Sequence, residues 1–203
     1  MIPEMFMETV TIKIKTEKDL KKFYSWFRIY KIIYQKKNLK LEVSPSINKD
    51  ITEQLKSLEI AFNIKDKNER LNYLYDEICH YEDQFFIQKN ICEFDEKGHC
   101  FVQREYHHPS KINGCCGLCT YLGKKGCSIN SIACKTFYCH YVIKKHHIPS
   151  IKKNLLFKYF FSIPQKYEAL TNFWNTKEEN IKIMKKNNLL YSLLKKQKTM
   201  KRW

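Results

Sequence analysis

The chain has 203 residues, of which 43% are hydrophobic, enough to bury one sizeable core or one core with a small satellite. It contains no apolar run of 18 residues, and residues 1–10 lack a basic leader with an apolar signal core, which argues against membrane-spanning and secreted proteins. We therefore expect a cytoplasmic protein with no membrane partner. In that compartment, nine cysteines are more often metal ligands, redox groups or buried residues than disulfides.

The net charge of +16 is distributed unevenly along the chain. Residues 1–110 contain 18 basic and 18 acidic residues, whereas residues 111–149 contain six lysines and no acidic residue. Residues 150–203 contain 13 basic and three acidic residues. We therefore divide the chain into an α+β part (1–110), a cysteine-rich metal-binding segment (111–149) and a basic helical C-terminal part (150–203), within one compact domain.

The N-terminal part begins with patterns typical of a strand, a helix and a second strand. Alternating apolar residues predict a strand over 8–15, and Thr16-x-x-Asp19 resembles the capping box that begins a helix. A second short strand is predicted over 39–43, ended by Ser44-Pro45. A further helix is predicted to begin at Asp50.

A longer helix is predicted over Lys67–Lys89, with Cys79 beside its apolar face as a small buried residue. Residues 91–106 alternate again around Glu96-Lys97-Gly98, which predicts a β-hairpin. Cys92 and Cys100 would then lie on opposite arms. We favour packing over metal binding for both.

The C-terminal part is predicted to be helical. Leu155–Phe161 is strongly apolar, and we expect this apolar segment to end at Ser162-Ile163-Pro164. Helices are predicted over Tyr167–Trp174 and Glu178–Lys198. The lysines of the last helix are interpreted first as a solvated face, and second as a contact for a polyanion. The predicted fold class is α+β.

The most informative segment is the cysteine stretch, which we define as residues 113–140. It contains four of the five glycines, which provide the tight turns needed for a backbone to wrap around a metal. Its cysteines, which we predict to be the metal ligands, are Cys115, Cys116, Cys119, Cys127, Cys134 and Cys139.

Spacing and charge favour metal binding over simple burial of these cysteines. Cys116-x2-Cys119 is a common metal-binding turn, and six thiols exceed one tetrahedral zinc site by two, so a site with more than one metal atom is an alternative. His107, His108 and His140 are further candidate ligands. Nearby lysines, with no acidic residue close in sequence, would offset the thiolate charge: Lys111, Lys124, Lys125 and Lys135. A single catalytic cysteine, acidified by these lysines, is a weaker alternative.

The motif Cys119-T-Y-L-G-K-K-G-Cys127-S-I, followed by Cys134-K-T-F-Y-Cys139, resembles the zinc- or iron-chelating cysteine-cluster family of small bacterial proteins. The flagellin lysine methylases resemble the same group. The likeness covers about 30 of the 203 residues, within which all six cysteines fall on cysteine-bearing positions. It implies a site for zinc or an iron-sulfur cluster and leaves the biochemical role open.

Three functional hypotheses follow. The first is a metal-binding protein holding zinc or an iron-sulfur cluster, mainly to keep the C-terminal half in place. The second is a zinc-stabilised nucleic-acid-binding protein that uses the basic region, although few arginines are present. The third is an enzyme, either a protein lysine methylase or an iron-sulfur oxidoreductase. No glycine-rich nucleotide-binding loop accompanies the cysteines, which argues against a Rossmann-type cofactor site.

Overall fold

The computed structural model describes residues 8–97, 99–106, 121–123, 126–148, 150–173 and 175–187. Helices dominate this part of the chain, together with two pairs of short strands, which confirms the predicted α+β class. Between residues 8 and 187, no described helix is long and apolar enough to cross a membrane. In chain order the elements are β1 (Thr9–Ile14), α1 (Glu17–Ile33), β2 (Asn38–Val43), α2 (Lys49–Asn63), α3 (Lys67–Lys89), α4 (Phe101–Tyr106), β3 (Leu122–Gly123), β4 (Gly126–Cys127), α5 (Ile132–Lys135), α6 (His140–Lys145), a 3₁₀ helix (Ile151–Lys153), α7 (Leu155–Phe160), α8 (Ile163–Thr171) and α9 (Lys177–Lys186).

The chain divides into two compact units, and the division falls within α3. The first unit contains Met1–Leu74 and Lys152–Phe160, and the second contains Tyr75–Ile151 and Phe161–Trp203. These units follow contacts in space, whereas the segments 1–110, 111–149 and 150–203 follow composition. The compositional segmentation stays a prediction.

The first unit begins with the predicted strand, helix and strand, and all three are confirmed. β1 and β2 are parallel, with Thr9 opposite Asn38. Thr16 caps α1: its hydroxyl accepts a hydrogen bond from the Asp19 N–H at 3.2 Å, and the Asp19 carboxylate accepts one from the Thr16 N–H at 3.0 Å. The Thr16 hydroxyl and the N–H groups of Lys15 and Thr16 donate to the Asp19 carboxylate, and they hold its pKa below its ordinary value because they favour the ionised form. A capping signal of four residues thus fixes where the helix begins.

Phe27 lies at the centre of the core of the first unit. It is completely buried, and its ring centroid is 5.1 Å from that of Phe23 on α1 and 5.2 Å from that of Tyr159 on α7. α2 also contributes apolar side chains to this core. Its cap is Asn48, whose side-chain oxygen accepts from the Asp50 N–H at 2.8 Å, so the helix begins before the predicted Asp50. Asparagine is a strong helix cap, which explains the earlier start.

In the second unit, the β-hairpin predicted over 91–106 is wrong. A turn is present, because the Phe101 N–H donates to the Cys92 carbonyl at 2.8 Å, but its second arm is the helix α4. Glu93 has a positive φ of 46°, which is incompatible with a continuous strand. The Arg104 guanidinium donates to the carbonyls of Glu93 at 2.5 Å and His99 at 3.2 Å. It thus provides hydrogen-bond donors for two backbone carbonyls of the loop that leads into α4.

The C-terminal helices also differ from the predicted bounds. α7 ends at Phe160, as expected from Ser162, and Ser162 also caps α8: its N–H donates to the Gln165 side chain at 3.0 Å. Pro164 is tolerated because N–H groups in the first turn of a helix have no acceptor within the helix, so the absence of one loses no hydrogen bond. α9 ends at Lys186, and the next residue, Asn187, has a left-handed φ of 48°. The prediction of one continuous helix over Glu178–Lys198 is therefore wrong, because the helix is interrupted at Asn187. Residues 188–203 lie outside the described part.

The face of α9 follows the predicted division into apolar and basic sides. Ile181 and Met184 are buried, whereas Lys182 and Lys185 are exposed. This agrees with the interpretation of the lysines as a solvated face. Binding of a polyanion stays a prediction.

Candidate metal centre

The structure describes only part of the predicted ligand set. Cys134 lies on α5 and is half-buried, and Cys139 is buried at the start of α6. Cys127 lies in β4, but its side chain is outside the described part. The predicted candidates that fall wholly outside it are His107, His108, Cys115, Cys116 and Cys119.

A short glycine-containing ribbon leads into the described half of the cysteine stretch. β3 pairs antiparallel with β4, with Leu122 opposite Cys127 and Gly123 opposite Gly126. The two residues that connect the paired glycines lie outside the described part. The role of the glycines in wrapping the backbone around a metal stays a prediction.

Tyr75 on α3 anchors the start of α5. Its hydroxyl accepts hydrogen bonds from the Ile132 N–H at 3.3 Å and from the Asn180 side chain at 2.7 Å. Burial raises the pKa of Tyr75 to about 12, and its hydrogen bonds with Ile132, Asn180 and Ser131 oppose this shift only in part. Ser131 is completely buried, and its own hydroxyl donates to the Asn172 carbonyl at 3.1 Å. The residues just before Cys134 are thus held by a connected set of buried hydrogen bonds.

Lys135, the residue after Cys134, is engaged by a carboxylate. Its ammonium lies 2.6 Å from both oxygens of Asp83 on α3, and its side chain is 6% exposed. No acidic residue is close to Lys135 in sequence, but the fold brings Asp83, 52 positions away, into contact with it. The contact with Asp83 fixes α5 on α3, and the expected effect of Lys135 on metal-bound sulfurs stays a prediction.

Glu82 on α3 makes a third contact with the cysteine stretch. Its carboxylate accepts a hydrogen bond from the hydroxyl of Tyr138 at 3.3 Å. Tyr138 is the residue directly before Cys139. Burial raises the pKa of Glu82 to about 7, since an ionised carboxylate is poorly solvated there, and the hydrogen bond from Tyr138 opposes this effect only in part. Burial, together with Glu82, raises the pKa of Tyr138. The segment that contains Cys134 and Cys139 is therefore fixed to α3 at both ends.

Cys139 packs within an apolar cluster that we call the α4–α6 cluster. Cys100 is buried in the same cluster and Cys92 packs against it. The buried members are Phe86, Ile91, Cys100, Val102, Cys139 and Val142. Cys92 and Cys100 thus pack against apolar side chains, as predicted, although they do not lie on two strands.

Cys79 is 3% exposed, and burial raises the pKa of its thiol, as expected for a buried small residue. His140 is exposed at the start of α6. Within the described ranges, no group of three or more histidine, cysteine, aspartate or glutamate side chains is placed to hold a metal ion. Cys134 and Cys139 would therefore need partners from the part of the stretch that is not described.

Comparison with protein-family models, with curated proteins and with solved structures gives no match. The resemblance to the cysteine-cluster family therefore stays a prediction.

Sequence reasoning missed the residues on α3 that hold the cysteine stretch in place. A signal was present for Glu82, which lies four residues after Ile78 and four before Phe86, both buried on the same helix. A carboxylate on the apolar stripe of a helix requires a buried partner. The identity of that partner, Tyr138, follows only from the tertiary structure.

Proposed function

We propose that this chain holds zinc or an iron-sulfur cluster through cysteines of the cysteine stretch, and that the centre keeps the C-terminal half in place. The proposed ligands are Cys115, Cys116, Cys119, Cys127, Cys134 and Cys139. Thiolates are the preferred ligands of both kinds of centre. The density of cysteines and glycines in the sequence supports the proposal.

The observation that supports it most is the way in which Cys134 and Cys139 are held. Residues on either side of them are fixed to α3 by Tyr75, Asp83 and Glu82. Ligands on an anchored frame lose less conformational entropy on binding than ligands on a loose loop. The two thiols are therefore suited to receive a metal that the preceding part of the stretch also binds.

The surroundings of the two thiols fit such a centre in part. Cys139 is buried among apolar side chains, which would limit the access of water, and Cys134 is half-buried. The two would supply at most half of a four-sulfur set, and the remainder would come from the earlier cysteines. When bound, the metal would act as a covalent-like crosslink whose binding free energy adds to the folding free energy.

The test is elemental analysis of the full chain purified without oxygen, together with a variant in which Cys134→Ser and Cys139→Ser are combined. We expect stoichiometric zinc or iron in the wild type and loss of it in the variant. Visible absorption would distinguish an iron-sulfur cluster from zinc. Cys79→Ala is the matched control, because this cysteine is buried in the core and should not affect metal content. A folded wild type with neither metal contradicts the proposal, and an unchanged metal content in the double variant removes these two ligands from it.

A further inference from the structure

The two edges of the β1–β2 sheet in the first unit differ in a way that points to a docking surface. The outer edge of β2 is already occupied by side chains from α2. The Asn63 amide bonds both the N–H and the carbonyl of Leu39, at 2.8 and 2.9 Å, and the Glu59 carboxylate accepts from the Leu41 N–H at 2.6 Å. The side chains of α2 thus occupy this edge at Leu39 and Leu41, where they would block a further strand.

Among the described residues, no strand or side chain pairs with the outer edge of β1. The Asn38 N–H donates to the Glu8 carbonyl and the Ser44 N–H to the Ile14 carbonyl, each at 2.9 Å. In this parallel register, the N–H and carbonyl groups of the even-numbered β1 residues point toward β2. Those of the odd-numbered residues point away from β2. The outward residues are Thr9, Thr11 and Lys13, whose side chains are exposed. No described residue hydrogen-bonds their N–H and carbonyl groups.

α1 also carries an exposed apolar stripe, on the flank that α7 does not cover. One flank of α1 is covered by α7: the Tyr159 hydroxyl donates to the Tyr24 carbonyl at 2.9 Å, and the Lys31 ammonium donates to the Tyr159 carbonyl at 2.5 Å. α7 in turn packs on α2, which closes the β2 edge. The other flank of α1 therefore faces the β1 side. It carries three large apolar side chains that are 41–61% exposed: Trp26, Ile29 and Ile33.

We propose that a second copy of this chain occupies this surface, with the two β1 strands pairing antiparallel around Thr11 to form a four-stranded sheet. The edge is self-complementary, because two Thr11 residues related by a two-fold axis exchange both N–H···O bonds. The same register places Thr9 opposite Lys13 and Val10 opposite Ile12. No two like charges are opposed, and apolar residues meet on the face toward the helices.

The helices fit the same arrangement. Neighbouring strands lie about 4.8 Å apart, so two helices that each cover their own strand pair would lie two strand spacings, or roughly 10 Å, apart. That distance is the spacing of packed helices, about 8–10 Å. The stripes of Trp26, Ile29 and Ile33 would then meet across the two-fold axis. Apolar surface is thereby buried together with the outer edge of β1, which favours a second copy over an isolated extended peptide.

The test is the molar mass of the full chain, measured by light scattering after size exclusion. Thr11→Pro removes an outward N–H without breaking the ladder to β2, and Thr11→Val, which keeps the N–H, is the matched control. We expect the wild type and Thr11→Val to have twice the 24.6 kDa of one chain, and Thr11→Pro to have the mass of one chain. Ile29→Lys changes only the helix stripe and should also halve the mass. Circular dichroism would verify that each variant is folded.

Hydrogen exchange of the Thr11 amide distinguishes a second copy from other occupants of the edge. We expect protection that disappears as the protein is diluted. A wild type with the mass of one chain overturns the proposal. A protected Thr11 amide in that monomer would assign the edge to another segment of the same chain. A dimer that persists in both Thr11→Pro and Ile29→Lys would place the interface elsewhere.

Discussion

Replacement of Glu82 by glutamine tests whether the contact between α3 and the cysteine stretch depends on pH. Glu82 is 7% exposed, and burial raises its pKa from 4.5 to about 7. Because the pKa is higher in the folded state, the stability that protonated Glu82 contributes is complete below 4.5 and is lost as the pH rises through about 7. Above that pH, the folded protein carries an ionised carboxylate in a buried place.

The size of the effect follows from the two pKa values. The interval from 4.5 to about 7 corresponds to an upper limit of about 3 kcal/mol, at about 1.36 kcal/mol for each pH unit. Glutamine keeps the shape of the side chain and an oxygen that can accept from Tyr138. We therefore expect Glu82→Gln to raise the free energy of unfolding by about 1–3 kcal/mol above pH 7, and to change it little below pH 4.5.

The measurement is urea unfolding of the wild type and Glu82→Gln over this pH range. Asp83→Asn serves as the matched control on the same helix, because it removes the charged partner of Lys135 and should destabilise the protein. A stability difference between wild type and Glu82→Gln that does not change with pH would refute the reasoning. So would a glutamine variant that becomes less stable than wild type as the pH rises.

Two further substitutions test the other anchors of the stretch by urea unfolding. Lys135→Met removes the cation that faces Asp83, and we expect a loss of about 1–3 kcal/mol because the carboxylate is then left without its partner. Tyr75→Phe removes the acceptor for the Ile132 N–H and the Asn180 amide, with an expected loss of about 1–3 kcal/mol. Unchanged unfolding curves in either variant would show that the corresponding contact does not hold the segment.

The parts of the fold that sequence predicted best are those with strong local signals. α1 begins at the capping box of Thr16 and Asp19, and the strands on either side follow from alternating apolar residues. α3 has the predicted bounds, Lys67–Lys89. In each case the information lies within a few residues of the element that it specifies.

The incorrect predictions depended on information from outside the segment. Alternating residues over 91–106 suggested a hairpin, but Arg104 satisfies the loop carbonyls and the second arm becomes α4. Asn187 ends α9 in a left-handed conformation within an otherwise helical pattern. Asparagine adopts this conformation more readily than most residues, but the sequence alone did not distinguish it from a helical asparagine.

The candidate site shows the same division between local and distant information. The cysteine and glycine pattern is local and could be recognised directly. The pairing of Lys135 with Asp83, and of Tyr138 with Glu82, joins positions more than 50 residues apart. Such contacts depend on how α3 packs in the second unit. The spacing of residues along the chain does not indicate this packing.

Metal content of the full chain, purified without oxygen, tests the central claim most directly. We expect zinc or iron in a fixed ratio to protein, and we expect a chelator to remove it with a loss of folding stability. A folded chain that contains neither element, with thermal unfolding unaffected by chelator, would contradict it.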